Sequence, residues 1–522
     1  MRHAKPGTIY LVGAGPGDPG LVTVRGLELL RSANVVLHDE LVPEALLSEA
    51  TGFLEYAGKR GTAPKVKDLT QDTIDQKMIE HARAGRSVVR LKGGDPYLFG
   101  RGSEEARVLA RAGVAFEVVP GVTSPIAAAA YAGFSVTHRD LASSVVFVSA
   151  TMRDGALFDF TELAGFRGTI CVLMGHRRLT DVCASLIEKG GRSATSRAAV
   201  VRAGTRSDQQ VIEAPLGEIA AREDVRTLKS PVLFFVGDVI GLRKELRFFD
   251  TRPLLGKRVL SLRSSQQASS VASALAARGA TAICRPIIET RRRPLSDAHA
   301  ALFHKGFAMF DAIVFTSENA VRMFFDELHA ARKDLRILGR GMLVAIGRTT
   351  ARALEAAGAV VDLVSDESNA EGLLTSLAKA FGARGGLAGS HVLIPRARVA
   401  RELLPEELQH AGATVEVIPL YETVPVSVSE RAERASVLDR AAVDVVLLTS
   451  SSIASAFADL IDEAPARARG LLLASIGPVT TNSAVARGLS VEVRSEVATL
   501  DGLIDALESH VRTQRVPVPA GL

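Results

Sequence analysis

The C-terminal half of this 522-residue chain repeats itself, and that repeat narrows the possible folds more than any other feature. "GKRVLSLR" from Gly256 resembles "GSHVLIPR" from Gly389, an offset of 133. "PIIET" ending at Thr290 and "PLYET" ending at Thr423 keep the same offset. So do Thr316 and Ser317 of "DAIVFTSENAV" with Thr449 and Ser450 of "DVVLLTSSSIA". "AIGRTTARALEAAGAVVD" and "SIGPVTTNSAVARGLSVE" align Gly347 with Gly477 at 130. Four blocks at nearly one spacing imply two similar α/β units in one polypeptide. Their "TS" and "IG" pairs follow strand-like runs and so fall at strand carboxyl ends, where open α/β sheets bind ligands. Paired units of this kind are expected to take a ligand in the cleft between them. Ser317 and Ser450 equally suit the caps of the helices that follow, and one hydroxyl can serve both purposes.

Upstream, strand-like runs alternate with Ala- and Leu-rich helical stretches, so the whole chain reads as α/β. Its length exceeds what one core accommodates. "RKELRFFDTRPLLG", residues 243–256, breaks the rhythm with charges, a proline and a glycine. It marks a boundary, with residues 246–255 as linker and 512–522 as a loose tail. Hydrophobic residues at 47% against 23% charged describe folded material. No apolar run reaches the roughly 20 residues of a membrane helix, no leader is evident, and the three cysteines stand apart. A cytoplasmic protein without disulfides or a metal site is expected. With a net charge of +5, no tryptophan and 5% aromatics, an anionic small molecule suits it better than nucleic acid.

The first half opens on "IYLVGAGPGDPG", Ile9 to Gly20, which looks like a nucleotide-binding strand and turn. A dinucleotide fingerprint needs a third glycine at position 18, where Asp18 stands, and Pro16 lacks the N–H that would help hold a pyrophosphate. Asp39, at the end of the strand-like run in "ANVVLHDELV", lies where a ribose-binding acid would sit, but no P-loop occurs. Further strand ends carry Gly93, Gly94 and Asp95 in "VVRLKGGDPYLFGRG", Thr123 and Ser124 in "FEVVPGVTSPIAAAAYAG", and Met174 in "GTICVLMG". Glycine turns with small polar neighbours make a site where backbone approaches a ligand closely. Met174 taken alone reads more readily as core packing.

The blocks "VGAGPGDPGLVT", "LKGGDPYLFGRG", "VVPGVTS" and "AAYAGFSVTHRD" together resemble uroporphyrinogen-III C-methyltransferase over about residues 7–245. The resemblance implies a fold of two α/β subdomains that hold S-adenosylmethionine in a cleft, usually in a homodimer. It assigns Pro16, Gly93, Gly94, Asp95, Thr123, Ser124, Met174 and Ala203 to the cofactor. It places Asp18, Asp39 and Lys59 near substrate, with Asp39 the candidate to stabilise or deprotonate the methylated pyrrole. The family's "KR-x-G-x-H" loop here reads "GKRGTAPKVKDLTQDTI", without the histidine, and Gln71 keeps the family's glutamine position.

The duplicated half is similar to uroporphyrinogen-III synthase over about residues 254–510, through "PLYETVP", "TSENAV", "TSSSIASAF" and "SIGPVTT". That family cyclises hydroxymethylbilane with inversion of one ring and loss of water, using no cofactor. The resemblance implies a bilobed module over 256–511, with 256–288 plus 424–511 in one lobe and 289–423 in the other. It makes Tyr421 the acid that helps the hydroxyl leave, matches Thr480 to a substrate-contacting threonine and puts Ser450 in a matching loop; Ser317 joins them as the strand-end counterpart of Ser450 in the repeat. The joint expectation is a bifunctional enzyme yielding precorrin-2. Methylation of a later corrin precursor, or a C-terminal half that only senses a ligand, are the alternatives.

Overall fold

The computed structural model describes residues 3–57, 70–263, 265–367, 369–382, 386–399, 402–426, 438, 443–462 and 470–514. The chain forms two compact units. One comprises Met1–Val259, Ser270–Ile283 and Ile504–Leu522, and the other Leu260–Ser269 and Cys284–Leu503.

The first unit contains two five-stranded sheets. β1 (Thr8–Gly13), β2 (Val35–His38), β3 (Phe53–Tyr56), β4 (Val88–Lys92) and β5 (Ala115–Val119) form a parallel sheet in the order β3-β2-β4-β1-β5. A parallel sheet must be covered on both faces, and β1 shows it. Tyr10 and Val12 enter one core while Ile9 and Leu11 enter the other, as the two-residue period of a strand dictates. From β1 the chain goes past β4 to reach β2, whereas from β4 it goes past β1 to reach β5. The order therefore reverses between β1 and β4, and the carboxyl ends of those strands flank the crevice that such a reversal opens.

β6 (Val145–Ser149), β7 (Thr169–Leu173), β8 (Arg197–Arg202), β9 (Gln210–Pro215) and β10 (Val232–Val236) form a mixed sheet in the order β6-β7-β10-β8-β9. Both β7 and β8 run antiparallel to β10, so they run alike. Their carboxyl ends emerge at one edge of the sheet, two strand spacings or roughly 10 Å apart. Residues 246–255, read as a linker, are packed in part. Phe249 and Leu254 are buried, Phe248 and Phe249 lie against the ring of Tyr131, and Arg243 pairs with Glu213 and Asp250. The last helix, Leu500–Gln514, continues into the first residues of the expected tail.

The duplication is written into two further sheets. β11 (Arg258–Ser261), β12 (Thr281–Cys284), β19 (Val445–Leu448), β20 (Leu472–Ser475) and β21 (Val493–Arg494) are ordered β12-β11-β19-β20-β21. β13 (Ile288–Arg292), β14 (Ala312–Phe315), β15 (Met342–Ala345), β16 (Leu363–Val364), β17 (His391–Ala397) and β18 (Thr414–Pro425) are ordered β13-β18-β17-β14-β15-β16. The sequence offsets equate β11 with β17, β12 with β18, and β19 to β21 with β14 to β16. Under that correspondence the two sheets have the same strand order, and each draws strands from both repeats. β13 and β18 are antiparallel, with Thr290 directly opposite Thr423. Those are equivalent residues of the two repeats, so a local two-fold passes through their pair.

Among the described residues no helix is long and apolar enough to cross a membrane, and no cluster of three His, Cys, Asp or Glu could hold a metal.

Candidate functional site

The glycine turns after β1, β4 and β5 close on one another. The Gly15 N–H donates to Gly94 O and the Gly94 N–H to Gly15 O, at 3.2 and 2.7 Å. A Cβ on Gly13 would lie 2.5 Å from Gly121 Cα, and one on Gly121 would lie 2.3 Å from Gly94 O. No side chain fits between these three backbones, which is why glycine recurs there. Asp95 locks the arrangement, because its Oδ2 accepts the Gly121 N–H at 3.0 Å and its Oδ1 the Tyr97 N–H at 2.8 Å. Thr123 and Ser124 border Gly94, their nearest backbone atoms 3.9 and 3.7 Å from where a Gly94 Cβ would be. Thr123 is the N-cap of the helix Ser124–Ala132, yet its side chain makes no capping bond. Gly93 meets the loop that carries Asp39, its ideal Cβ standing 3.5 Å from Leu41 Cβ.

The mixed sheet presents a different kind of turn. Met174 and Ala203, immediately after β7 and β8, have φ of 55° and 49°, and Thr205 has 72°. Non-glycine residues in this region carry about 1–3 kcal/mol of strain and collect at ligand sites. Met174 is also 56% exposed, so the packing reading does not describe it.

A closed ring of hydrogen bonds ties the two sheets' turns together. The Asp18 N–H donates to Thr205 Oγ1, and Thr205 N–H to Gln209 Oε1. Gln209 Nε2 donates to Tyr131 O, and the Tyr131 hydroxyl returns to Asp18 Oδ2 at 2.8 Å. Asp18 Oδ1 accepts from Gly20 N–H, so both oxygens are engaged within the protein. Burial and the Asp18 hydrogen bond push the Tyr131 phenol up to about 12, so it stays a donor. The ring fixes the turn bearing Pro16 and Gly17 against the turn bearing Ala203.

Asp39 follows β2, one strand from Gly93, and is half-buried. Arg90 Nη2 donates to its Oδ1 at 2.6 Å. Lys59 lies outside the described residues. Sequence reasoning missed Arg90, Tyr131, Thr205 and Gln209. For Arg90 a signal existed, a charged residue inside the otherwise apolar "VVRL".

In the second unit Tyr421, on β18, is 6% exposed and belongs to a phenylalanine-rich core. Its hydroxyl lies 2.9 Å from Ser317 Oγ, which also accepts the Ala320 N–H and so caps the helix Glu318–Ala330. Burial raises the Tyr421 phenol, and the bond to Ser317 only partly offsets this. Ser450 caps its own helix in the same way, accepting the Ile453 N–H at 3.2 Å. Thr480 is buried in the first turn after Gly477, as its counterpart Thr350 is after Gly347. The symmetry fails at the tyrosine, since the residue equivalent to Tyr421 is Ile288. Tyr421 and Ser317 are brought together. Ser450 and Thr480 stand at strand ends of the other sheet.

Comparison with known proteins follows the same division. Tetrapyrrole (Corrin/Porphyrin) Methylases match residues 8–220, and Uroporphyrinogen-III synthase HemD matches residues 269–505. A porphyrin biosynthesis protein HemD of Ruminiclostridium josui is 32% identical over 511 residues, which is 97% of this chain and 98% of that protein. A siroheme synthase of Stutzerimonas stutzeri is 43% identical over 254 residues, covering 48% of this chain, which spans 54% of that protein's length. Among solved structures, a uroporphyrin-III C-methyl transferase of Thermus thermophilus complexed with S-adenyl homocysteine is 39% identical. It covers 45% of this chain and 99% of its own, with a TM-score of 0.40. A uroporphyrinogen III synthase of the same organism is 17% identical and covers 50% of this chain and 100% of its own, with a TM-score of 0.36.

Proposed function

The chain belongs to the family of fused tetrapyrrole methylases and uroporphyrinogen-III synthases, and on that premise we propose that it makes precorrin-2 from hydroxymethylbilane. The synthase closes the linear bilane with inversion of its last ring and loss of water. The methyltransferase then C-methylates uroporphyrinogen III twice. The observation that carries this reading is the meeting of both families in one chain, because the product of one activity is the substrate of the other. Residues 1–245 are assigned to the methyltransferase and 256–511 to the synthase, whose lobes are 256–288 with 424–511, and 289–423. A cytoplasmic homodimer joined through the methyltransferase half completes the reading.

The turns of the first unit fit S-adenosylmethionine, because Gly13, Gly94 and Gly121 leave backbone, not side chains, to line the crevice. The cofactor supplies an electrophilic methyl group on a sulfonium. Pro16, Gly93, Gly94, Asp95, Thr123, Ser124, Met174 and Ala203 are assigned to bind and orient it. Alignment of the ring carbon with that methyl is the main demand on the protein. Asp39 is assigned to stabilise the charge that develops on the pyrrole and to accept its proton. Asp18 and Lys59 are assigned to the substrate side, with Asp18 holding its turn in place through the Tyr131 bond.

In the synthase, Tyr421 assists departure of the hydroxyl. Ser317 already accepts from Ala320, so when it donates to the Tyr421 oxygen the phenol hydrogen is free for the leaving group. Ser450 and Thr480 are assigned to contacts with the bilane.

The test is to give the purified chain hydroxymethylbilane with and without S-adenosylmethionine. Uroporphyrinogen III is expected without it and a dimethylated product with it. Formation of the uninverted isomer alone would remove the synthase, and an unmethylated or differently methylated product would remove the second step.

A further inference from the structure

Arg90 and Lys92 lie two residues apart on β4 and so point to one face, the face covered by the helices Gln71–Arg83 and Gly102–Arg111. Each is 3% exposed. Burying two cations is costly unless counter-charges meet them with good geometry. Glu105, fully buried on the second helix, is one such charge. Its Oε1 accepts from Arg90 Nε at 3.3 Å, Lys92 Nζ at 3.0 Å and Gln71 Nε2 at 3.1 Å. Its Oε2 has no partner among the described residues.

One buried carboxylate between two cations leaves a positive charge over. Burial, and then Arg90, lower the Lys92 pKa. Asp75, near Glu105, is raised by its own burial and by that carboxylate. The remaining counter-charge to Arg90 among the described residues is Asp39, at 2.6 Å, and of these groups it reaches the surface, with its side chain 31% exposed. Burial opposes the charge on Arg90, but Asp39 and Glu105 outweigh it and raise its pKa, so the guanidinium stays charged. The groups alternate in sign from Lys92 through Glu105 and Arg90 to Asp39.

We propose that Arg90 and Glu105 are positioning residues for methyl transfer. Glu105 anchors the guanidinium, and the guanidinium holds Asp39 by Oδ1, so that among the described residues Oδ2 is left as the oxygen for the proton released by the substrate. An apolar pair at these positions would usually be no less stable than buried charges. The array is therefore explained by what it does to Asp39. This inference rests on the assignment of Asp39 as the group that meets substrate.

The experiment is a double-mutant cycle on the full chain, read as kcat and KM for methylation of uroporphyrinogen III, with S-adenosylhomocysteine affinity measured in parallel. Arg90→Lys keeps the charge but loses the fork. It is expected to lower kcat about tenfold or more, with both KM values and product affinity within about twofold, since groups aligning a proton acceptor act mainly on kcat. In an Asp39→Asn background the same change is expected to cost nothing further, because residues acting as one unit are not additive. Glu105→Gln, of nearly equal size, is expected to lower kcat about threefold to tenfold and to lose that effect in the Asp39→Asn background. Multiplicative losses in the cycle, or unchanged kcat in both single variants, would overturn the positioning role while leaving Asp39 intact. Near-normal kcat in Asp39→Asn alone would overturn the Asp39 assignment and this inference with it.

Discussion

The two halves of the chain build their candidate sites by opposite means. In the first, the chain's own backbone forms the crevice, where Gly13, Gly94 and Gly121 approach so closely that nothing larger fits, and Met174 and Ala203 accept strained conformations. Such a site depends on particular residues at particular turns. In the second, two sheets of one strand order repeat the same caps, Ser317 with Ser450, and the same buried threonines, Thr350 with Thr480. There the scaffold is symmetric and tolerant, and what distinguishes one sheet's strand ends is a departure from symmetry, Tyr421 in place of an Ile288 equivalent. The first kind of site is broken by adding an atom to the backbone. The second is broken by removing one from a side chain.

The largest effect is therefore expected from Gly121→Ala. Its new Cβ would stand 2.3 Å from Gly94 O and 2.7 Å from Gly13 Cα, both backbone atoms that cannot rotate away. Affinity for S-adenosylhomocysteine, measured by calorimetry, should fall, and methyl transfer should slow about a hundredfold or more, since a displacement near 1 Å at an aligned site costs that order in rate. Synthase activity of the same chain should stay within about twofold. Unchanged affinity would mean that the glycine turns serve folding only and that the two halves do not differ in this way.

An intermediate effect is expected from Tyr421→Phe, with synthase turnover about tenfold lower and not abolished, because a phenol assists departure by hydrogen bonding more than by full proton transfer. Burial raises this phenol above the ordinary value of about 10, so the proton is present through neutral pH and lost only as pH rises beyond that value. The wild-type pH–rate profile should accordingly carry no alkaline limb from this residue below about pH 10. An unchanged rate in the variant would return Tyr421 to the phenylalanine-rich core that surrounds it.

Much of this was legible in sequence where local chemistry repeats or is peculiar. The 133-residue offset gave the paired caps and strands, and the interrupted glycine fingerprint at Pro16 and Asp18 pointed away from a pyrophosphate. What sequence concealed were contacts between distant positions. Tyr131 reaches Asp18 and Tyr421 reaches Ser317 across more than a hundred residues each, and no periodicity announces them. Residues 246–255 looked like a linker from their charges and proline. The charge of nearby Arg243 is met by Glu213 and Asp250, while Phe249 and Leu254 bury their apolar surface. Composition alone cannot separate a solvated charge from a paired one.

The smallest effect is the sharpest test of the symmetry argument. Ser317→Ala and Ser450→Ala remove the same cap from equivalent helices, each accepting an N–H three residues on. Each should cost about 1 kcal/mol of stability, the usual value for losing a side-chain cap, read as similar shifts in denaturant midpoint. Only Ser317 also touches Tyr421, so only its loss should lower synthase turnover beyond what the stability change explains, by about threefold to fivefold, whereas loss of Ser450, assigned to a bilane contact, should raise KM instead. Equal effects of the two substitutions on turnover would mean that the tyrosine gives its sheet no special role. A slower Ser450→Ala with an unaffected Ser317→Ala would move the chemistry to the other sheet, where the residue equivalent to Tyr421 has no proton to give.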